Sequence, residues 1–238
     1  MLCIYVDGLF YKGSGIGRYY ESLMKEFSKI KIKIISCVPK RFQKDFEKDF
    51  SYYRDNITMI FVDYEKFSFK GIFLQSKILK DIEKKVDIFF FPHINLPLYI
   101  PKNTITTIHD LRCFTNYWDR SYFNKYIFTY LLKRALKKSK QIISISKTVE
   151  NAIIEKLAIK NNKIITIYEY IDDKFLNLYF NKKAIVKEPY ILFVGNRKKH
   201  KNLHNLIKAF ILMKDKIPHK LIVAGARDKE LDEVDILK

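Results

Sequence analysis

The chain has 238 residues, of which 48% are apolar and 15% are aromatic, and it carries a formal net charge of +19. This content of apolar and aromatic side chains excludes a disordered, solvated coil and is enough for one large domain or two small ones. The positive charge favours anionic partners such as phosphates, a lipid surface or nucleic acid, although a general excess of lysine on solvent faces would give the same total.

Nine short apolar runs predict β-strands that alternate with helical segments. The runs are Leu2–Val6, Ile32–Val38, Ile57–Val62, Asp87–Phe91, Thr104–His109, Gln141–Ser146, Lys163–Tyr168, Tyr190–Val194 and Lys220–Ala224. Several are apolar throughout, which is typical of parallel strands covered on both faces. Apolar stripes at helical spacing run from Ile16 to Ile30, from Ile78 to Val86 and from Leu203 to Met213. The alternation predicts an α/β fold with doubly wound parallel sheets.

Polar and charged residues interrupt this alternation near residues 177–189. We predict a complete Rossmann-like domain over residues 1–176, a linker over 177–189 and a second domain over 190–238. The second domain has one β-α-β unit before a charged end, and a unit of that size does not close a core of its own. We therefore expect it to be the incomplete start of a larger domain.

The cysteines and the amino terminus favour a cytoplasmic protein. Cys3, Cys37 and Cys113 are scattered and form no C-x-x-C pair, so we expect reduced thiols, with Cys3 and Cys37 in the core. The first residues lack the basic and apolar regions of a signal peptide. No apolar run approaches the roughly 18–20 residues that span a bilayer, which leaves room for peripheral contact at the inner face of the plasma membrane.

The first candidate binding segment follows the first strand. Gly15 and Gly17 stand where a loop runs into a helix, and there backbone N–H groups and the helix N-terminus favour an anion. The loop is longer than that of the dinucleotide fingerprint, and Tyr20 takes the place of its third glycine. A flexible turn without a ligand is the alternative.

Three polar segments follow later strands. His93 comes after Phe91, His109 and Asp110 end the next run, and Ser146 ends the one after it. Open α/β sheets bind ligands at the carboxyl ends of their strands. We therefore predict that these side chains and the glycine loop share one edge of the sheet, with Asp110 able to orient or stabilise an imidazole. The alternatives are structural histidines and a helix cap at Ser146. The spacings match no metal motif.

A second glycine-to-helix segment carries cations. Arg197 and Lys201 follow Gly195 within a short loop that leads into the last apolar stripe. Arginine presents a planar fork to phosphate oxygens, and lysine presents a mobile charge. The segment predicts a phosphate site, and a solvated basic loop is the alternative.

Together these segments resemble the family 4 glycosyltransferases, which are retaining enzymes of the GT-B architecture. The segments Gly15–Tyr19, Thr107–Leu111, Ile143–Ser146 and Val194–Leu203 carry the resemblance in the family's order. The resemblance implies two Rossmann-like domains that face each other across a cleft. It places an acceptor on the first domain and a nucleotide-sugar donor on the second.

The resemblance also implies roles for single residues. Arg197 and Lys201 would bind the donor diphosphate in place of a divalent cation, so no metal or other cofactor is expected. The loop at Gly15 and Gly17 would close over the donor phosphate and sugar, and His109 would sit by the transferred sugar.

Three more residues complete the implied site. Asp110 would stand beside the catalytic histidine, and His93 and Ser146 would lie on the acceptor side. The GIGRY-type subset resembles mannosyltransferases of surface polysaccharide and lipopolysaccharide synthesis. This makes GDP-mannose the leading donor and a lipid-linked molecule or polysaccharide the expected acceptor.

Two departures from the family pattern affect these expectations. Tyr170 replaces the glycine of the family's interdomain segment, where a positive φ would strain a tyrosine. The family's later acidic motif has no counterpart among the 35 residues after Leu203. We therefore expect this chain alone to bind the donor weakly and to turn it over slowly or not at all. A non-catalytic remnant, or one part of a split enzyme that a separate polypeptide completes, is the alternative.

The distribution of charge raises two further hypotheses. Residues 121–163 hold ten Lys and Arg against two acids, which suggests nucleic-acid binding, yet no RRM, KH, helix-turn-helix or zinc pattern is present, so nucleic acid is not the expected partner. Within residues 117–140, aromatic and basic side chains alternate. This pattern predicts peripheral contact with an anionic membrane, and a core helix with a wet basic face is the alternative.

Overall fold

A computed structural model describes residues 1–13, 15–115, 121–157, 161–171, 186–197 and 201–225. Its contacts divide the chain into two compact units, Met1–Thr115 with Tyr122–Asp172 and Asn116–Ser121 with Asp173–Lys238. Most of the predicted linker, residues 177–185, lies outside the described residues. The predicted domain boundaries therefore stay a prediction.

Seven parallel strands form the sheet of the first unit. They are β1 (Cys3–Asp7), β2 (Lys33–Pro39), β3 (Ile57–Val62), β4 (Ile88–Phe91), β5 (Thr104–Ile108), β6 (Gln141–Ser144) and β7 (Ile164–Thr166). Their order across the sheet is β3-β2-β1-β4-β5-β6-β7, and each neighbouring pair is parallel. The direction of winding reverses at β1, so the predicted doubly wound α/β fold is confirmed.

Helices cover both faces of this sheet. In the described part of the unit they are α1 (Gly15–Ser28), α2 (Gln43–Asp49), α3 (Phe69–Ile82), α4 (Tyr122–Lys138) and α5 (Lys147–Leu157). Right-handed crossovers place α1 and α2 on one face and the other three on the opposite face. Hydrogen bonds agree, because Tyr20 of α1 bonds Ser36 at 2.7 Å on one face, and Gln75 of α3 donates to Tyr5 at 3.1 Å on the other.

The core beneath α1 holds that helix against the sheet. Tyr20 and Met24 are fully buried and pack with Val6 of β1 and Ile34 of β2 in one apolar cluster. Burial of a large apolar side chain stabilises a fold by about 1.5–3 kcal/mol. Because α1 follows β1, this packing fixes the start of the helix at the carboxyl edge of the sheet.

All nine predicted strands are present, with ends that differ from the prediction by two residues or fewer. Helix α2 escaped prediction because its seven residues bury one side chain, Phe46, and form no apolar stripe. Helix α3 begins at Phe69, well before the predicted stripe at Ile78, because its first turns bury Gly71 and Gln75 rather than apolar residues.

The described part of the second unit is one β-α-β element. It consists of β8 (Tyr190–Val194), α6 (Leu203–Met213) and β9 (Lys220–Ala224), with the predicted bounds. The two strands pair in parallel, and α6 buries Leu203 and Ile207.

The three cysteines are free and buried, and the predicted core positions of Cys3 and Cys37 are confirmed. None of the helices in the described ranges combines the length and the apolar character that crossing a membrane requires.

Candidate functional site

The carboxyl ends of four neighbouring strands bring the predicted residues of the first unit to one edge. β1 leads to Gly15–Gly17, β4 to His93, β5 to His109 and Asp110, and β6 to Ser146. These strands are parallel and adjacent in the order β1-β4-β5-β6, so their ends lie on the same edge of the sheet. The predicted common edge is confirmed, and the roles of its residues stay predictions.

A buried carboxylate at the end of β1 organises this edge. Asp7 is fully buried, and its Oδ1 accepts from Nε2 of His93 at 2.7 Å and from the N–H of Leu9 at 3.1 Å. Its Oδ2 accepts from the Tyr5 hydroxyl at 3.1 Å and from the amide of Gln75. Four donors thus meet one carboxylate, which ties β1, the end of β4, the glycine loop and α3 together.

Both ring nitrogens of His93 contact protein groups. Nε2 faces Asp7, and Nδ1 accepts the N–H of Asn95 at 3.2 Å, so the tautomer with its proton on Nε2 satisfies both contacts. The ring is buried and packs against Phe10 with 4.4 Å between centroids. His93 therefore holds the backbone at the end of β4 and does not present its ring at the surface, and its acceptor-side role stays a prediction.

His109 is the histidine that reaches the surface of this edge. Its Nε2 lies 3.0 Å from the carbonyl of Pro92, and its Nδ1 lies 3.1 Å from the carboxylate of Glu169, just past β7. Tyr19 of α1 packs edge-on against the ring with 5.0 Å between centroids, and its hydroxyl bonds Thr107 at 3.2 Å. A carbonyl and a carboxylate can only accept, so the protonated imidazole satisfies both contacts at once. Both ring nitrogens thus face acceptors, and these contacts fix the direction of the imidazole at the edge.

Tyr19 and Glu169, which both contact His109, also line a groove of about 410 Å³ in the first unit. The groove lies between α1 and the segment that follows β7. Its lining residues are Gly15, Arg18, Tyr19, Ser22, Leu23, Glu26, Ile167, Tyr168, Glu169 and Tyr170. One arginine, two glutamates and three tyrosines give it charged and aromatic groups side by side, which suits a polar ligand with hydroxyl groups.

Ser146 and Tyr170 each make a defined hydrogen bond near this edge. The Oγ of Ser146 accepts the N–H of Val149 at 3.2 Å, so Ser146 caps α5, as the sequence allowed. Tyr170 is not among the residues with positive φ, and the strain considered for it is therefore absent. Its hydroxyl lies 3.4 Å from the carboxylate of Glu26 across the groove.

A second buried acid supports the end of β7. Glu150 of α5 accepts from the ammonium of Lys147 at 2.7 Å and from the hydroxyl of Thr166. These two hydrogen bonds, with that of Lys147 the larger effect, lower the pKa of Glu150. Since Thr166 ends β7, this contact fixes the strand from which the segment with Glu169 departs.

The predicted donor residues of the second unit lie between β8 and α6. Gly195 has φ +154°, a conformation that favours glycine, and its N–H donates to the carbonyl of Ala224 at 2.9 Å. Arg197 is half-buried and Lys201 is exposed, and residues 198–200 between them lie outside the described residues. Lys201 stands two residues before the start of α6, where N–H groups and the helix dipole favour an anion, and Arg197 stands three residues after the end of β8.

Sequence reasoning missed Asp7 and Glu169 as parts of the site. Asp7 did carry a signal, since an acid at the end of an apolar strand is costly to bury without partners. Glu169 carried none, because it stands 60 residues from His109 and meets it only through the tertiary fold. In the described part of the chain, no group of three or more His, Cys, Asp or Glu residues could hold a metal ion.

Comparison with known proteins agrees with this geometry. The family model described as Glycosyltransferase Family 4 matches residues 13–175. The chain belongs to glycosyltransferase family 4. The model described as Glycosyl transferases group 1 matches residues 177–236 of this family 4 chain.

A curated relative of the family 4 chain is the O-antigen chain mannosyltransferase RfbU of Salmonella typhimurium. The two are 33% identical over 136 residues, which cover 57% of this chain and 36% of the relative. The match thus spans about a third of the length of that relative.

Two solved structures share the backbone fold of the family 4 chain. HepE of Anabaena, in complex with UDP and glucose, gives a TM-score of 0.60 at 14% identity over 100% of this chain and 64% of that one. The UDP-N-acetylglucosamine 2-epimerase of Rickettsia bellii gives 0.56 at 14% identity over 100% and 67%. The predicted GT-B type of α/β fold is confirmed, and an epimerase on the same fold shows that the fold alone does not set the reaction.

Proposed function

We propose that this protein is a retaining glycosyltransferase of surface polysaccharide synthesis. Its donor would be a nucleotide-diphosphate sugar, with GDP-mannose the leading candidate, and its acceptor a lipid-linked molecule or a polysaccharide. The observation that carries the proposal is the 33% identity to an O-antigen chain mannosyltransferase over 136 residues.

The proposed reaction exchanges one bond at the anomeric carbon of the donor sugar. An acceptor hydroxyl oxygen bonds to that carbon, the bond to the diphosphate breaks on the same face, and the hydroxyl proton leaves with the nucleoside diphosphate. Arg197 and Lys201 would offset the charge that builds on the leaving group. Removal of one such donor from a transition state commonly costs about 2.7–4 kcal/mol. HepE, which shares the fold, was solved with UDP and glucose.

We place the transferred sugar beside His109 on the first unit. The contacts with Pro92, Glu169 and Tyr19 fix the direction of the imidazole, which favours a positioned group over a mobile one. The groove that Tyr19 and Glu169 also line is the proposed acceptor site, since its charged and aromatic groups can bind a polar chain.

Transfer of radiolabelled mannose from GDP-mannose to a lipid-linked acceptor fraction tests the proposal. We expect little or no incorporation by the purified chain alone, and any incorporation that is measured should be abolished by Lys201→Ala and by His109→Ala. Lys208→Ala removes the same charge from an exposed position of α6 and should leave incorporation unchanged. The expectation of slow or absent turnover by this chain alone is checked in the same assay.

Two outcomes of that assay contradict parts of the proposal. Incorporation at the full level by Lys201→Ala would refute the assignment of the donor site. Incorporation of another sugar, with none from GDP-mannose, would refute mannose as the transferred sugar. The proposal that the protein is a glycosyltransferase would stand. The anomeric configuration of the product, read by NMR, decides between retention and inversion.

We further propose that the enzyme works as a peripheral protein at the inner face of the plasma membrane. The relative acts in O-antigen chain synthesis by its name, and a lipid-linked acceptor would be anchored at such a surface. Exposed aromatic side chains on α4 support the same location.

A further inference from the structure

The loop that leads from β1 toward α1 packs against α2, and we call its residues 8–13 the entry loop. The ring of Tyr11 is buried and lies 5.2 Å between centroids from Phe46 within α2 and 5.8 Å from Phe42 just before that helix. The Tyr11 hydroxyl donates to the carboxylate of Asp49, the last residue of α2, at 2.8 Å. Packing and a hydrogen bond thus join the entry loop to α2.

Lys12 makes a second contact with the same carboxylate. Its Nζ donates to Oδ2 of Asp49 at 2.6 Å and lies 3.8 Å from the carboxylate of Glu21 on α1. The hydrogen bond to Asp49 is the largest of the effects that raise the pKa of Lys12. Burial acts to raise the pKa of Asp49, but the hydrogen bonds from Lys12 and Tyr11 outweigh it and lower that pKa. Both shifts favour the charged forms, so Lys12 links α2 to α1 as an ion pair.

The backbone of the entry loop takes a conformation that its own sequence does not favour. Lys12 has φ +55°, in the left-handed region where a residue with a Cβ is rarely found. Strained residues of this kind persist where the surrounding structure holds them in place. The ion pair of Lys12 and the packing of Tyr11 supply this support, so we expect removal of Asp49 to loosen the loop.

The entry loop lies directly on the first turn of α1. A Cβ added to Gly17 would lie 2.5 Å from the carbonyl oxygen of Phe10 and 3.4 Å from the backbone nitrogen of Lys12. The N–H of Gly13 donates to the same Phe10 carbonyl at 2.7 Å. The N–H groups of a first helical turn have no partner within the helix and form the predicted anion site. A displacement of the entry loop would therefore move that site.

We infer that Asp49 is a positioning residue for the predicted anion site at Gly15 and Gly17. It acts through Lys12 and Tyr11, which keep the entry loop packed on the first turn of α1 before a ligand arrives. A site that is already ordered spends less of its binding free energy on ordering. The inference rests on the proposed function, because the family resemblance brings the donor phosphate to this turn.

Hydrogen exchange of the full chain without ligand, read by mass spectrometry, tests the contact with α2. In Asp49→Ala, a peptide that covers residues 8–17 should exchange about tenfold faster, because two hydrogen bonds to a charged acceptor are lost. Lys12→Gln loses only the partly exposed ion pair and should exchange about threefold faster. It tests the same contact should Asp49→Ala fail to fold.

Two variants of α2 provide the controls. Asp45 lies one turn before Asp49 and is exposed, whereas the hydrogen bonds from Tyr11 and Lys12 go to Asp49. Asp45→Ala makes the same chemical change and should leave exchange of the entry loop as it is in the unaltered chain. Asp49→Glu keeps a carboxylate on a side chain that is one methylene longer, and it should restore slow exchange.

Binding of GDP-mannose separates a positioning role from a structural one. A structural role would lower the free energy of unfolding and leave the affinity of the folded chain unchanged. Isothermal titration of folded Asp49→Ala should instead show affinity between about twofold and tenfold weaker, since the loss cannot exceed the rise in loop opening. Asp45→Ala and Asp49→Glu should bind like the unaltered chain.

Three results would overturn the inference. They are unchanged exchange in both Asp49→Ala and Lys12→Gln, equally fast exchange in Asp45→Ala, and fast exchange in Asp49→Ala with unaltered affinity for GDP-mannose. Absence of GDP-mannose binding by the unaltered chain would refute the proposed donor. The exchange measurement needs no nucleotide sugar and would still decide whether Asp49 holds the entry loop.

Discussion

Replacement of Asp7 by alanine tests how the site edge of the first unit is held. In the native protein the carboxylate accepts from His93, Leu9, Tyr5 and Gln75. Tyr5 and Gln75 also bond each other at 3.1 Å, so they keep a partner after the substitution. The ring N–H of His93 and the backbone N–H of Leu9 lose theirs.

The expected loss of stability follows from these two stranded donors. A buried donor without an acceptor costs about 1–3 kcal/mol, so two give about 2–6 kcal/mol. Removal of a buried carboxylate also removes the desolvation cost of that group. The expected loss of unfolding free energy for Asp7→Ala therefore lies in the lower part of this range, at about 2–4 kcal/mol. For a unit of this size, 1 kcal/mol corresponds to about 2–4 °C, so Tm should fall by about 5–15 °C.

Urea unfolding and thermal melting, both followed by far-UV circular dichroism, measure this loss. Asp7→Asn keeps one acceptor oxygen and should lose less than Asp7→Ala. The double variant Asp7→Ala/His93→Ala should lose less than the sum of its parts by about 1–2 kcal/mol, because the two residues share one contact. A loss below about 1 kcal/mol for Asp7→Ala, or additive effects in the double variant, would refute the reasoning.

Three further predictions concern single positions. Gly17→Ala should lower Tm, because its Cβ would meet a backbone carbonyl oxygen at 2.5 Å, whereas Gly15→Ala meets no atom within 4 Å and should be neutral. Glu150→Gln should make the fall of Tm at acid pH less steep. Hydrogen bonding, chiefly to Lys147, lowers the pKa of Glu150 in the folded chain. The carboxylate therefore stabilises the fold above its unfolded pKa of about 4.3, and this stabilisation is lost as pH falls through the lower folded pKa. Cys37 should resist iodoacetamide near neutral pH, because burial raises the pKa of its thiol to about 12.

Each of these predictions has its own control. Equal losses of Tm in the Gly17 and Gly15 variants would show that contact with the backbone is not the cause. Glu155→Gln changes an exposed residue of α5 and should leave the acid limb of the Tm profile unchanged, and a matching change in both variants would argue against Glu150. Mass spectrometry of the alkylated chain should show Cys37 labelled after unfolding in urea, and rapid labelling of the folded chain would contradict its burial.

Features that depend on local pattern could be predicted from the sequence. Each of the nine strands is a short run of β-branched or aromatic residues. His109 comes directly after one such strand and Arg197 three residues after another, so their places near strand ends were predictable. The start of α3 at Phe69 could not be predicted, because the buried side of the first half of this helix consists of glycine and polar residues. The spacing of apolar residues in the sequence predicts a helix only where such residues form the buried face of that helix.

Features that depend on tertiary neighbours could not be predicted in this way. Tyr19 and Glu169 meet at His109 from opposite ends of the first unit, and neither carries a local signal of that contact. The loop after β4 is similar, since Leu98 donates its N–H to Ile72 of α3 and accepts from Arg134 of α4, and both contacts form only in the tertiary fold. A resemblance to a family supplied the candidate roles of the site residues, and these roles stay predictions.

Binding of GDP-mannose tests the central claim most directly, because it requires neither acceptor nor turnover. Isothermal titration of the full chain should show saturable binding that Arg197→Ala and Lys201→Ala each weaken about tenfold or more, since each removes a charged contact to phosphate. Lys208→Ala, with the same loss of charge on α6, should bind like the unaltered chain. Binding that is absent, or that all three variants retain equally, would contradict the assignment of the Gly195–Leu203 segment as the site of the donor phosphates.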